Sequence, residues 1–168
     1  MLFFTGAQYL QSYNYPDYKI GVNDDNEAYI TLAGKLFHLV YPGLTGTSGS
    51  LSLRSVDQPD LYLRHYGYLL HLENRTSARN NQLFDQDASF WLREDVWFQD
   101  TVALESVNFP TYYIRHQGYR LKIATYDGSD LFKKDASFRS MCFAMLIFHS
   151  AAILHSTIMF CFFLYLNP

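Results

Sequence analysis

Two stretches of this chain carry the same reactive residues in the same order. Tyr62-Leu63-Arg64-His65 is followed by Phe84-Asp85-Gln86-Asp87-Ala88-Ser89-Phe90, and Tyr113-Ile114-Arg115-His116 by Phe132-Lys133-Lys134-Asp135-Ala136-Ser137-Phe138. Each stretch therefore offers one Arg-His pair and one Asp. Retaining glycoside hydrolysis needs two carboxylates about 5 Å apart in a single asymmetric cleft, whereas here the candidate acid occurs once per stretch. A closed metal centre needs about four ligands, and one His with one Asp falls short of that. No Ser-His-Asp or Cys-His arrangement stands out, and no phosphate-binding glycine loop occurs. A site present twice with the same parts is the pattern of a multivalent binder, so no catalytic residue, metal or cofactor is expected.

The elements that must position these residues are also repeated. Leu53-Arg54-Ser55-Val56-Asp57-Gln58-Pro59 precedes the first stretch, and Leu104-Glu105-Ser106-Val107-Asn108-Phe109-Pro110 precedes the second. A weaker third copy comes first in the chain, with Gln11-Ser12-Tyr13-Asn14-Tyr15-Pro16, then Ile20 in the place of Leu63 and Ile114, then Phe37 in the place of Phe90 and Phe138. There Gly21-Val22 replaces Arg-His and the Asp has no counterpart. Such self-similarity marks a repeat architecture. Leu51 to Val56, Tyr68 to Leu72 and Tyr119 to Ile123 alternate with period two, which predicts strands. Gln58-Pro59-Asp60, Tyr66-Gly67, Gln117-Gly118 and Asp127-Gly128-Ser129 supply the turns. About four short strands per copy cannot bury a hydrophobic face alone. The expected fold is therefore all-β, a β-trefoil of three repeats (about 8–48, 49–98 and 99–139) with pseudo-threefold symmetry, in a domain spanning 1–139. A β-sandwich is the alternative.

Composition narrows the partners. The 168 residues carry 13 Lys and Arg against 16 Asp and Glu, a net charge of −3, and no basic stripe exists to displace counterions from a phosphate backbone. Nucleic acid is not an expected partner. The 14 Tyr, 14 Phe and 2 Trp suit an aromatic-rich β core, and Tyr also suits a polar, sugar-facing surface. Both cysteines, Cys142 and Cys161, lie near the C-terminus, so the body has no disulfide or thiol nucleophile to offer. The N-terminus lacks the basic start and apolar stretch of a secretory signal. Residues 140–168 contain no Asp, Glu, Lys or Arg. Within them, 141–166 is apolar enough and long enough to be a helical membrane segment, with a closing strand over Ser140 to Ala144, an extra buried segment or an aberrant extension as the other readings. Asn74-Arg75-Thr76 is a glycosylation sequon, meaningful only in the secretory pathway.

The Ser-Val-Asn-Phe-Pro, Tyr-Ile-Arg-His and Phe-x-x-Asp-Ala-Ser-Phe elements resemble the arabinose-binding domain of α-L-arabinofuranosidase B, over about Ser12 to Arg139. The resemblance implies a monomeric, extracellular carbohydrate-binding module that holds arabinofuranose side chains of polysaccharides, in an enzyme family whose catalytic domain is separate. Its pockets carry over to His65 and Asp87 in the second repeat, and to His116 and Asp135 in the third. Phe109 carries over as the stacking aromatic of the third repeat, with Gln58 in that place in the second. Two sites at most are expected, the third repeat holding the better one. An ionised Asp accepts two strong hydrogen bonds from sugar hydroxyls, His completes the ring of contacts, and an aromatic face covers the C–H side. Structural roles stand beside these: Asp87 and Asp135 as Asx-turn caps, His65 and His116 as strand-end partners of Asp, Arg64 and Arg115 in ion pairs, Tyr68 and Tyr119 as core or rim. The second functional class is a degenerate trefoil serving as a protein-interaction or structural module.

Overall fold

The structure, a computed structural model, describes residues 6–142. The reading of 141–166 as a helical membrane segment lies outside those residues from 143 onward, and Met141 and Cys142 belong to a closing strand instead; among the described residues no helix is long and apolar enough to cross a membrane. The chain is mainly β, as its periodicity predicts. The first third forms β1 (Ala7–Ser12), β2 (Lys19–Val22), β3 (Ala28–Thr31) and β4 (Phe37–Val40). The middle third forms β5 (Ser50–Ser55), β6 (Leu61–Tyr66), β7 (Leu69–Asn74), helix α1 (Asn81–Asp87) and β8 (Phe90–Glu94). The last forms β9 (Val102–Ser106), β10 (Tyr112–Gln117), β11 (Arg120–Thr125), helix α2 (Asp130–Asp135) and β12 (Phe138–Cys142). Strand β12 runs three residues past the boundary drawn at Arg139, and pairs along β1 from Ser12↔Phe138 to Gln8↔Cys142.

Six strands close a ring by antiparallel pairing, in the order β1-β4-β5-β8-β9-β12 and back to β1. The remaining six form three hairpins, β2-β3, β6-β7 and β10-β11. These hairpins touch one another through Arg120↔Tyr29, Lys122↔Leu69 and Glu27↔His71. The matched residues Phe37, Phe90 and Phe138 are fully buried, as are Ile20, Leu63 and Ile114. Each buried large apolar side chain contributes about 1.5–3 kcal/mol, so these six positions anchor the common core.

Where the hairpins meet, Arg120 serves all three. Its Nη1 donates to the carbonyls of Ala28 (2.5 Å), Leu70 (2.6 Å) and Leu121 (3.2 Å), one from each hairpin. Its guanidinium lies 5.0 Å from the Tyr29 ring and its Nη2 is 3.3 Å from His71 Nε2.

Two features differ from the sequence expectation. The residues before β8 and β12, read as turns, form α1 and α2. Asn80 Oδ1 accepts from Leu83 N and Ser129 Oγ from Phe132 N, so each helix has an N-cap. Helices of seven and six residues are too short to display a 3.6-residue period. Tyr68 and Tyr119, read as strand residues, stand instead in the two-residue turns of β6-β7 and β10-β11. Gly67 and Tyr68 have φ of 55° and 68°, Gly118 and Tyr119 of 56° and 67°, the left-handed pair that matches strand twist in a type I′ hairpin. Glycine adopts that conformation freely; a tyrosine pays strain for it.

Candidate functional site

The predicted residues fall into two assemblies with the same parts. In the first, β10 presents Arg115 and His116, and α2 ends on Asp135. His116 and Asp135 are 3% and 5% exposed. Arg115 Nη2 donates to Asp135 Oδ2 (2.5 Å), and Asn14 Nδ2 donates to Asp135 Oδ1 (2.8 Å). Asn14 Oδ1 then accepts from Ser12 Oγ (3.0 Å) and from His116 Nε2 (2.9 Å). In the second assembly, β6 presents Arg64 and His65, and α1 ends on Asp87. Arg64 Nη1 donates to Asp87 Oδ2 (3.1 Å), Asn108 Nδ2 to Asp87 Oδ1 (2.8 Å), and Asn108 Oδ1 accepts from Ser106 Oγ (2.8 Å) and His65 Nε2 (3.0 Å). The carboxylates thus bond to Arg and Asn side chains rather than forming an Asx-turn. A carboxylate at a helix C-terminus is disfavoured by the helix dipole, and the arginines offset that.

An amide oxygen carries no hydrogen, so the Asn contacts make Nε2 the protonated nitrogen in both histidines. Ser12 Oγ and Asp135 Oδ1 both face that same Nε2, at 3.3 and 3.6 Å. In a nucleophilic relay the acid holds Nδ1 while Nε2 activates the hydroxyl; this geometry is not that relay, and Ser12 is fully buried.

Burial pushes the pKa of His65 and His116 below the usual value of 6.5, against the pull of Asp87 and Asp135 in the other direction. The folded chain therefore keeps both imidazoles neutral in a range where the unfolded chain protonates them. Stability is complete above pH 6.5 and falls as the pH drops through that value, by up to about 1.4 kcal/mol per pH unit for each histidine. The melting temperature is expected to decline between pH 7.5 and 5. The double variant His65→Gln/His116→Gln should show a shallower decline; an equal slope would assign the effect elsewhere.

Three aromatic side chains cover each assembly. Tyr15 stands edge-on to His116 (5.4 Å, 73°) and meets Tyr119, which packs on Tyr18. Phe109 stands edge-on to His65 (5.3 Å, 83°) and meets Tyr68 and Tyr112. Tyr15, Tyr68 and Tyr119 remain 42%, 49% and 44% exposed. A cleft of about 230 Å³ opens over His116 and Asp135, rimmed by Tyr15, Tyr119, Gln117 and Leu131. A charged polar floor beneath exposed rings suits a small polyhydroxylated ligand with one apolar face.

Phe109 is therefore not beside His116 and Asp135. It belongs with His65 and Asp87, and Tyr15 holds the matching place in the other assembly. Each site draws its Arg, His and Asp from one repeat and its Asn and aromatic from the next, so both assemblies possess the ring and the basis for ranking the third repeat higher is removed. Phe109→Ala is expected to weaken ligand binding about three- to tenfold in a His116→Ala background. In a His65→Ala background it should have no further effect, as a double-mutant cycle reads. The reverse pattern would return Phe109 to the third repeat. Asn14, Asn108, Tyr15 and the turn tyrosines were missed as site residues. Their traces in the sequence are the Ser-x-Asn-aromatic-Pro spacing and the repeated Gly-Tyr turn.

The first repeat lacks this floor. Gly34 stands where Asp87 and Asp135 stand, and a Cβ at Gly21 would collide with Thr31 Oγ1 and come within 3.3 Å of Gly34 Cα. Asp57 occupies the place of Asn14 and Asn108, but its partner is Lys35 Nζ at 2.8 Å. The close approach of Gly21 and Gly34 thus takes the place of the Arg–Asp side-chain pair that the other two assemblies hold.

Comparison with known proteins assigns the chain to a family. Residues 8–140 match the family model of the alpha-L-arabinofuranosidase B (ABFB) domain. The chain is 32% identical over 111 residues to Alpha-L-arabinofuranosidase B of Emericella nidulans, which covers 64% of this chain and 21% of that protein. It is 28% identical over 147 residues to an Otogelin-like protein of Mus musculus, covering 79% of this chain and 6% of the other. Among solved structures, an arabinofuranosidase complexed with arabinofuranosyl-alpha-1,2-xylobiose shares the fold with a TM-score of 0.69 at 24% identity, over 84% of this chain and 32% of that one. The chain thus spans about a fifth of the arabinofuranosidase it matches. What it has in common with that enzyme is one domain, and the chain belongs to the alpha-L-arabinofuranosidase B domain family.

Proposed function

We propose that this chain is a non-catalytic β-trefoil carbohydrate-binding module that holds arabinofuranose residues in two equivalent pockets. The six-stranded ring with its three hairpins supports the trefoil reading, and the separate buried carboxylates, one per pocket, support a binder over a hydrolase. The observation that carries the proposal is the duplicated Arg-Asp-Asn-His floor under exposed aromatic rings. A furanose placed there meets N–H donors of Asn and Arg and the carboxylate acceptor at its hydroxyls, with Tyr15 or Phe109 against its C–H face. Two pockets on one polymer gain through effective concentration. Calorimetric titration of the full chain with arabinose-substituted xylo-oligosaccharides tests this, with unsubstituted ones as control. Saturable binding of the substituted sugars alone, at about two per chain, is expected. No heat and no competition from a folded sample would overturn it.

The first repeat, where Gly21 and Gly34 replace the Arg and the Asp, favours a second reading, a scaffold that has left sugar binding for a structural or protein-interaction role. The same titration separates the two.

A further inference from the structure

Between β7 and α1 the chain makes an excursion that the last repeat lacks. Ser77, which ends a short 3-10 turn (Arg75–Ser77), and residues 78–80 wall a cleft of about 570 Å³ with Arg64, Tyr66, Glu73 and Leu83. Its place beside the His65–Asp87 pocket follows from two links. Arg64 lines the cleft and also donates to Asp87 at 3.1 Å. Tyr66 and Leu83 occupy the positions that Gln117 and Leu131 hold on the rim of the other pocket.

The chemistry of this cleft is rich in donors. Asn74 spends its Oδ1 on Thr76 N (2.8 Å) and Thr76 Oγ1 (2.7 Å), and Asn80 spends its Oδ1 on Leu83 N. Both carboxamides keep their N–H₂ groups for a ligand. Arg79 also lines the cleft, is exposed, and has no hydrogen-bond or ion-pair partner among the described residues. Arg64 is already neutralised by Glu73 at 2.7 Å and Asp87. Tyr66 is 65% exposed, with the Arg64 guanidinium 5.1 Å from its ring centroid. An open aromatic ring flanked by uncommitted N–H groups fits a neutral pyranose, which stacks its C–H face and accepts hydrogen bonds at its hydroxyl oxygens.

We infer that this cleft is a main-chain subsite: it takes the pyranose residues that carry the arabinofuranose branch held by His65, Asp87 and Phe109. The inference rests on the pocket assignment above and adds to it an asymmetry. The second-repeat site reads branch and backbone together, whereas the third-repeat site, with Gln117 in place of Tyr66 and no excursion, reads the branch alone.

The test uses the full chain made in a bacterial host, so that Asn74 carries no glycan, with His116→Ala to leave one pocket active. Two probes are titrated, methyl α-L-arabinofuranoside and an arabinofuranosyl-xylotriose. The branched oligosaccharide is expected to bind more tightly than the glycoside. Arg79→Ala should reduce that advantage about three- to tenfold with affinity for the glycoside unchanged, and Tyr66→Ala should reduce the ratio of the two affinities likewise. Equal affinities for the two probes, or an advantage that survives both substitutions, would overturn the subsite while the pocket assignment stands. Failure of the glycoside itself to bind would overturn the pocket and the subsite with it.

Discussion

Asp135→Ala is expected to lower the unfolding free energy by about 3–5 kcal/mol and to abolish sugar binding at its own site. The side chains of Arg115 and Asp135 are 11% and 6% exposed, so alanine leaves a guanidinium desolvated with little to pair with. The other carboxylate near Arg115, Asp127, is exposed and 4.0 Å away. Asp87→Ala should cost less, because Arg64 retains Glu73 at 2.7 Å. Asp135→Asn keeps an oxygen for Arg115 and fills the same volume, so it should retain most of the stability while losing the charged acceptor for the ligand. Urea unfolding of the three variants, with calorimetric titration of each, separates these effects. A loss below about 1 kcal/mol for Asp135→Ala, as for an exposed ion pair, or a larger loss for Asp87→Ala, would contradict the argument.

The second large effect is at Arg120. Arg120→Met retains the aliphatic stem but strips three carbonyls, one per hairpin, of their shared donor. A buried acceptor left unsatisfied costs about 1–3 kcal/mol, and the three are coupled through one group, so a loss of about 2–4 kcal/mol is expected in urea unfolding. The same substitution has a spectroscopic signature. Burial and the neighbouring Arg120 charge both hold the His71 pKa below 6.5. Removing the cation should raise the His71 titration midpoint toward its ordinary value, read from imidazole resonances. An unchanged midpoint with unchanged stability would show that Arg120 is an ordinary surface residue.

Much of this molecule was legible in its residues. The alternation in Arg120–Thr125 places Leu121 and Ile123 inward, as strand geometry dictates. The matched Phe37, Phe90 and Phe138 are core because each begins the last strand of its repeat. Helices α1 and α2 were not legible, since fewer than two turns leave no period to read. The turn tyrosines were misread because Tyr68 and Tyr119 continue the alternation of the strands they precede, and only a backbone φ distinguishes a turn residue from a strand residue there.

The sequence by itself determined the inventory: one Arg, one His and one Asp in each of two repeats, and their loss from the first. Only the tertiary structure decided which residues share a pocket. Closure of the ring pairs β12 with β1 and β8 with β9, and the chain leaving β1 and β9 runs on beside Ser137 and Ser89, where Tyr13 N and Val107 N bond their carbonyls at 3.0 and 3.1 Å. That extension carries Asn14 and Tyr15 to His116, and Asn108 and Phe109 to His65. Local spacing sees each motif whole within its repeat. The pairing of ring strands cuts across those boundaries, and hydrogen bonds between residues more than a hundred positions apart are set by that closure and by nothing local in the chain.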